Sequence, residues 1–145
     1  MRRIKLLLVL LVGVALSVMT AGAAVDDNPK TAGGLAVYLG VLPAAMIQGP
    51  EKAMHGGVPS SRHSYHIVVA VFDATTGARV KDAVVEARVA ELGFAGITRQ
   101  LEPMLIADTV TYGNYFELSG EANYRIYLSI TRPGSAVPVR VEFAL

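Results

Sequence analysis

The chain has 145 residues, 52% of them hydrophobic, with 13 Lys and Arg against 12 Asp and Glu and no cysteine. A net charge of +1, with basic residues scattered singly and no aromatic-studded basic face, leaves no footprint for DNA or RNA. Without cysteine there is no disulfide framework, no thiolate metal site and no lipidated N-terminal cysteine.

Arg2, Arg3 and Lys5 open the chain, an apolar run follows from Leu6 to Met19, and Ala21-Gly22-Ala23 supplies a small-x-small pattern. This reads as a secretory signal over residues 1–23, cleaved near Ala23, and it directs the protein to the periplasm or beyond. The apolar run is short for a membrane span of about 20 residues, so a retained anchor is the secondary reading. The signal holds three of the 13 basic residues and none of the acidic ones, so residues 24–145 carry 10 against 12 and a net charge of −2. That length suffices for one domain and is too short for two ordinary ones.

Residues 24–34 (AVDDNPKTAGG) are small, polar and broken by Pro and Gly, which predicts a linker. From Leu35 onward the dominant period is two, the mark of strands with one buried face. Strands are predicted over Leu35–Leu42 and over Ser64–Phe72, which is nearly continuously apolar. In Ala83–Ala90, the residues Ala83, Val85, Ala87 and Val89 alternate with a water-facing Glu86 and Arg88. Shorter strands are predicted over Ile97–Leu101, Met104–Val110 and Tyr112–Leu118. The alternation is plainest in Tyr124–Thr131 and Val137–Phe143, joined by the turn Arg132-Pro133-Gly134-Ser135, with Pro138 placing the last strand at an edge. Seven or eight short antiparallel strands with regular turn signals predict an all-β domain over 35–145, an antiparallel immunoglobulin-like β-sandwich, with a small closed barrel as the alternative. The stretch Pro43–Arg62 is the one long irregular segment, a length that in compact domains usually marks function.

All three histidines, His55, His63 and His66, fall within twelve residues in or beside that segment, with Met54 next to the first and Met46 upstream. In a cysteine-free exported chain, imidazole and thioether are the soft and borderline ligands on offer, a pairing that suits copper. The candidate ligands are Met46, Met54, His55, His63, His66 and Met104. Each has a structural reading beside the metal reading. Met46 and Met104 flank apolar segments, where methionine ordinarily fills gaps in a core. Met54 and His55 adjoin Gly56-Gly57 and fit an exposed loop. His66 opens the strongest strand, where a rim histidine finds a hydrogen bond, and a strand end also fixes a ligand better than a loop does. No nucleophile elbow, helical His-x-x-x-His pair or phosphate-binding glycine loop is present, so the sequence is read as non-catalytic.

Pro103-Met104, Asp108 and Tyr112-Gly113 resemble the segment Met-Pro-Met…Asp-Gly-Pro-His-Tyr-Gly of the periplasmic high-affinity iron-transport proteins. Val37-Tyr38-Leu39, Tyr65-His66 and Asn123-Tyr124-Arg125-Ile126 are similar to further short motifs of that family. The resemblance implies an immunoglobulin-like, copper-containing protein that works beside an inner-membrane iron permease. It maps copper ligands onto His66 and Met104. Three further ligand positions of the family depart. Thr111 stands where the family has the histidine before Tyr-Gly, Val68 stands where it has a glutamate, and the short turn Arg132–Ser135 has no counterpart of a late-loop histidine.

The sequence thus predicts an exported periplasmic protein that binds copper or iron and assists metal delivery to a membrane transporter. His66 and Met104 would be the primary ligands, completed by His63, His55, Met46 or Met54. The competing reading is a non-catalytic immunoglobulin-like module that binds a protein partner and no metal. A homodimer is compatible with either.

Overall fold

A computed structural model describes residues 24–25, 28–47, 49–120 and 122–145. The predicted signal, residues 1–23, lies outside the described residues. Among the described residues nine antiparallel strands run in chain order: β1 Ala24–Val25, β2 Lys30–Ala32, β3 Leu35–Pro43, β4 Ser64–Asp73, β5 Val84–Glu91, β6 Ile97–Ile106, β7 Thr109–Glu117, β8 Tyr124–Thr131 and β9 Val139–Ala144. Their hydrogen-bonded order is β1-β3-β4-β7-β6-β5-β8-β9, with β2 also pairing β3.

The strands form two layers that share β6. Its first half, Ile97–Leu101, pairs with β5, and its second half, Glu102–Ile106, pairs with β7. A strand that passes from one sheet to the other in this way closes one side of the sandwich. On the other side β9 approaches β2 and β3, which gives the sandwich a barrel-like outline. Read in immunoglobulin terms, β3-β4-β7-β6 is one sheet and β5-β8-β9 the other.

Period-two alternation builds the core. Leu35, Val37, Leu39 and Val41 of β3 and Ile67, Val69 and Val71 of β4 point inward. They meet Val85, Ala87 and Val89 of β5, Ile126, Leu128 and Ile130 of β8, and Val141 and Phe143 of β9. Two tyrosines anchor the connections. Tyr124, at the start of β8, accepts the Ser119 N–H at 2.8 Å, in the manner of the tyrosine corner of such sandwiches. Tyr112 accepts the Ala83 N–H at 3.0 Å and donates to the Val80 carbonyl at 3.1 Å, so its buried hydroxyl is satisfied on both counts.

The structure differs from the sequence expectation in two places. Residues 24–34, read as a linker, supply two short strands that pair with β3. The strand expected to end at Leu101 and the one expected to begin at Met104 are a single strand, β6, and the turn falls at Ala107-Asp108 instead. Both turn residues are left-handed, with φ of 48° and 59°.

Candidate metal centre

The outer face of the β3-β4-β7-β6 sheet is set by register. Because Ile67 and Val69 face the core, His66 and Val68 face outward. His66 lies opposite Tyr115, Val68 opposite Gly113, Glu102 opposite Gly113, and Met104 opposite Thr111. Residues at one pairing level share a face, so His66, Tyr115, Gly113, Glu102 and Met104 all lie on this outer surface. The face is not left to solvent. The chain after Pro43 folds over it, packing Ala44, Ile47 and Val58 together with Leu42 of β3 around Tyr115. His66 is 3% exposed and Met104 4%.

This covering segment delivers a second imidazole. His55, Gly56 and Gly57 have φ of 56°, 81° and 103°, three consecutive left-handed residues that reverse the chain. A non-glycine residue in that region carries a conformational cost of about 1–2 kcal/mol. The His55 side chain is nonetheless held, at 3% exposure. Its Nδ1 donates to Glu102 Oε2 at 2.7 Å, and its Nε2 lies 2.9 Å from the sulfur of Met104. Its ring centroid is 5.4 Å from that of His66, and the Tyr115 ring stacks at 4.8 Å from His66.

The Glu102 hydrogen bond assigns the His55 proton to Nδ1 and leaves the Nε2 lone pair facing the thioether. Two lone-pair atoms at 2.9 Å have nothing to exchange with each other. Ligands of one transition-metal ion do stand about 3 Å apart, given metal–nitrogen and metal–sulfur bonds of about 2.0 and 2.3 Å. His66 adds a third donor. Its Nε2 is buried with no hydrogen-bond partner among the described residues, which is rare for a native polar atom. It lies 2.8 Å from the point where a Cβ on Gly113 would sit, and the Met104 methyl is 2.5 Å from that point. Gly113 therefore leaves the cradle into which both side chains reach. An orphaned imidazole nitrogen and a thioether side chain that both reach toward one glycine, with a second bare imidazole nitrogen 2.9 Å from the sulfur, make a donor set that fits a soft ion such as Cu(I). Among the described residues no three His, Cys, Asp or Glu side chains gather as a ligand group; the third donor here is sulfur.

The structure brings together His66, Met104 and His55 of the six sequence candidates. His63 stands apart, its ring accepting a hydrogen bond from Arg62 at 3.1 Å. Met46 is 53% exposed on the covering segment. Met54 is half-buried beside His55, where its carbonyl accepts the Gly57 N–H. Glu102 was not foreseen, although its period-two spacing from Met104 puts both on one strand face. Glu102 holds the tautomer and orientation of His55, as carboxylates commonly do behind a ligating imidazole. Glu102→Ala is expected to weaken copper binding about 10–100-fold while Glu102→Gln, which still accepts a hydrogen bond, costs less; competition titration with a chromogenic chelator measures both.

Burial, and then the neighbouring His55, push the His66 pKa down from 6.5 to about 4. The imidazole thus stays neutral and able to ligate well into the acid range. Stability follows from the sign of the shift. Above about pH 6.5 the group is unprotonated in both states and its full contribution is present. Between 6.5 and about 4 the unfolded chain takes up a proton that the folded chain refuses, so stability falls by about 1.4 kcal/mol per pH unit. In chelator-treated protein, the urea midpoint should drop across this window, and His66→Gln should drop less steeply.

No protein-family model matches the sequence, and no curated protein matches it. Solved structures do share the fold. FetP of uropathogenic Escherichia coli strain F11, as isolated, superposes with a TM-score of 0.64 at 15% identity, over 87% of this chain and 96% of that one. Copper-reconstituted P19 from Campylobacter jejuni gives a TM-score of 0.64 at 15% identity, over 86% and 95%. A DUF4426 family protein from Pseudomonas aeruginosa PAO1 gives 0.62 at 20% identity, over 86% and 93%. FetP and P19 are proteins of the kind the short motifs resemble, and at these identities the likeness is one of fold.

Proposed function

We propose that this is an exported, non-catalytic copper-binding protein that assists metal uptake by passing a metal ion to or from a membrane transporter. The observation that carries the reading is the buried His66 Nε2, without a hydrogen-bond partner among the described residues and aimed at the Gly113 cradle. The Met104 methyl reaches the same point, and His55 Nε2 stands 2.9 Å from the Met104 sulfur. Two imidazoles and a thioether, with Val68 where the resembled family has a carboxylate, favour Cu(I) over Cu(II), Fe(II) or Fe(III), which take harder or more numerous donors. Iron enters this reading as the cargo of the transporter the protein serves. Copper-bound P19 and FetP, which share the fold, support it.

The test is anaerobic titration of protein purified from periplasmic extract with Cu(I) against a chromogenic chelator. One equivalent is expected to bind, with sulfur and nitrogen scattering at the metal in X-ray absorption. Iron-limited growth of a deletion strain reports on the uptake step. The alternative, a metal-free interaction module, draws on Thr111 and Val68 standing where the resembled family has ligands. Copper affinity no greater than that of a histidine-free variant decides for that module.

A further inference from the structure

At the end of β4 away from His66, the connection from β4 to β5 and the turn from β8 to β9 border an open hollow of about 330 Å³. Asp73, the last residue of β4, stands at its rim with Thr76, Arg79, Asp82 and Arg132. The wall is fixed. Asp73 Oδ1 accepts the Thr75 N–H at 3.0 Å, the Thr76 N–H at 2.9 Å and the Thr76 hydroxyl at 3.1 Å, and the Asp73 N–H donates to the Ala78 carbonyl at 2.8 Å. Arg132 approaches Asp73 Oδ2 at 3.4 Å, so these two charges compensate each other. The other two do not. Neither Arg79 nor Asp82 forms an ion pair among the described residues. Arg79 lies over the Phe72 ring at 4.3 Å, and its Nε and Nη1 are buried with no hydrogen-bond partner among the described residues. With those two nitrogens enclosed, Nη2 is the one left to meet a ligand in the hollow.

We propose that this hollow binds the zwitterion of an α-amino acid, with its carboxylate on Arg79 and its ammonium on Asp82. The site is separate from the metal centre and does not depend on it. A half-buried guanidinium with unsatisfied donors and no counter-ion gains more from an incoming carboxylate than a fully solvated one does. A simple anion meets an obstacle, because Asp73 and Asp82 line the same hollow and repel it. A simple cation meets the reverse obstacle in Arg79 and Arg132. The four side chains sum to no net charge, which favours a ligand that carries both signs and none overall. Arg79 and Asp82 line one hollow without pairing directly, so a group between them spans the gap with one charge at each end. Each end then meets the residue of opposite sign that lacks an ion-pair partner, a complementarity that sets orientation. The volume leaves room for a side chain beyond that shared headgroup.

Titration of isotope-labelled protein with glycine, acetate and methylammonium, followed by amide chemical shifts, separates the three charge classes; glycine reports the headgroup alone. Saturable glycine binding is expected in the millimolar range or tighter, with shifts centred on the β4–β5 connection and Arg132. Acetate and methylammonium should bind at least about tenfold more weakly. Asp82→Asn, at an exposed position, should lower the glycine affinity at least about tenfold and raise that of acetate, since a repelling carboxylate is gone. Arg79→Gln should lower both. Circular dichroism confirms that each variant folds, and Asp82→Asn keeps the test open should loss of the Arg79–Phe72 stack disturb the connection. Acetate binding as tightly as glycine would make this an anion site and overturn the proposal. No saturable glycine binding, shifts centred elsewhere, or a glycine affinity unmoved by either substitution in a folded variant overturns it as well. Copper titration of both variants without glycine should match the wild type, so the outcome is separate from that of the metal reading.

Discussion

His66→Ala combined with Met104→Leu is expected to abolish copper binding, lowering the affinity by at least about a thousandfold, or some 4 kcal/mol. Of the three donors His66, Met104 and His55, only the His55 nitrogen survives in this variant, and a single imidazole does not outcompete a chelator. Folding is expected to persist. Met104→Leu conserves volume, a class of change that ordinarily costs under about 1.5 kcal/mol. His66→Ala removes a side chain whose buried Nε2 has no hydrogen-bond partner among the described residues, so some of the lost packing is offset by relief of a desolvation penalty of about 1–3 kcal/mol. The single variants separate the roles. Met104→Leu removes the only thioether in the cluster and should shift preference away from Cu(I), whereas His66→Ala should weaken both oxidation states. His63→Ala and Met46→Leu, both outside the cluster, should titrate as the wild type does. Wild-type copper affinity in the double variant would remove the metal from this site.

Much of this arrangement is legible in the sequence, and the illegible parts have physical causes. In Tyr124–Thr131 every second residue is apolar, and every one of those residues is buried; a strand with one solvated face announces itself. The β6–β7 turn does not. It is made by Ala107-Asp108 with both residues left-handed, a conformation that Asn-Gly or Asp-Gly would have signalled and that alanine conceals. Pro103, which reads as a break between strands, sits within β6 opposite Tyr112. Residues 24–34 look like a linker because strands of two and three residues are too short to show a period. At the site, His66 is legible from its strand position and Met104 from the resemblance of Pro103-Met104…Tyr112-Gly113 to the iron-transport family's motif. The choice of His55 over His63 is not, because it depends on three successive left-handed residues that turn one histidine over the sheet, a property of backbone geometry rather than of residue type.

Gly113→Ala should damage the centre from beneath, without touching a donor. An added Cβ would stand 2.5 Å from the Met104 methyl, 2.8 Å from His66 Nε2 and 3.1 Å from the Ile67 carbonyl oxygen. The methyl is the end of a flexible side chain and can move. The imidazole is wedged between Tyr115 and His55, and the carbonyl belongs to β4 at the heart of the sheet. Two of the three neighbours therefore cannot yield cheaply, and overpacking of this kind typically costs about 1–3 kcal/mol. The larger consequence is for the metal: the methyl group would occupy the point toward which His66 and Met104 both reach. Copper affinity is expected to fall at least about a hundredfold, or 2.7 kcal/mol. Adding Met104→Ala should recover part of the stability by removing the nearest contact, yet recover no copper binding, because the sulfur goes with it. Stability is read from urea denaturation and affinity from chelator competition on the same samples. A Gly113→Ala protein that binds copper as tightly as the wild type would show that the ion sits elsewhere on this face, away from the glycine toward which His66 and Met104 reach.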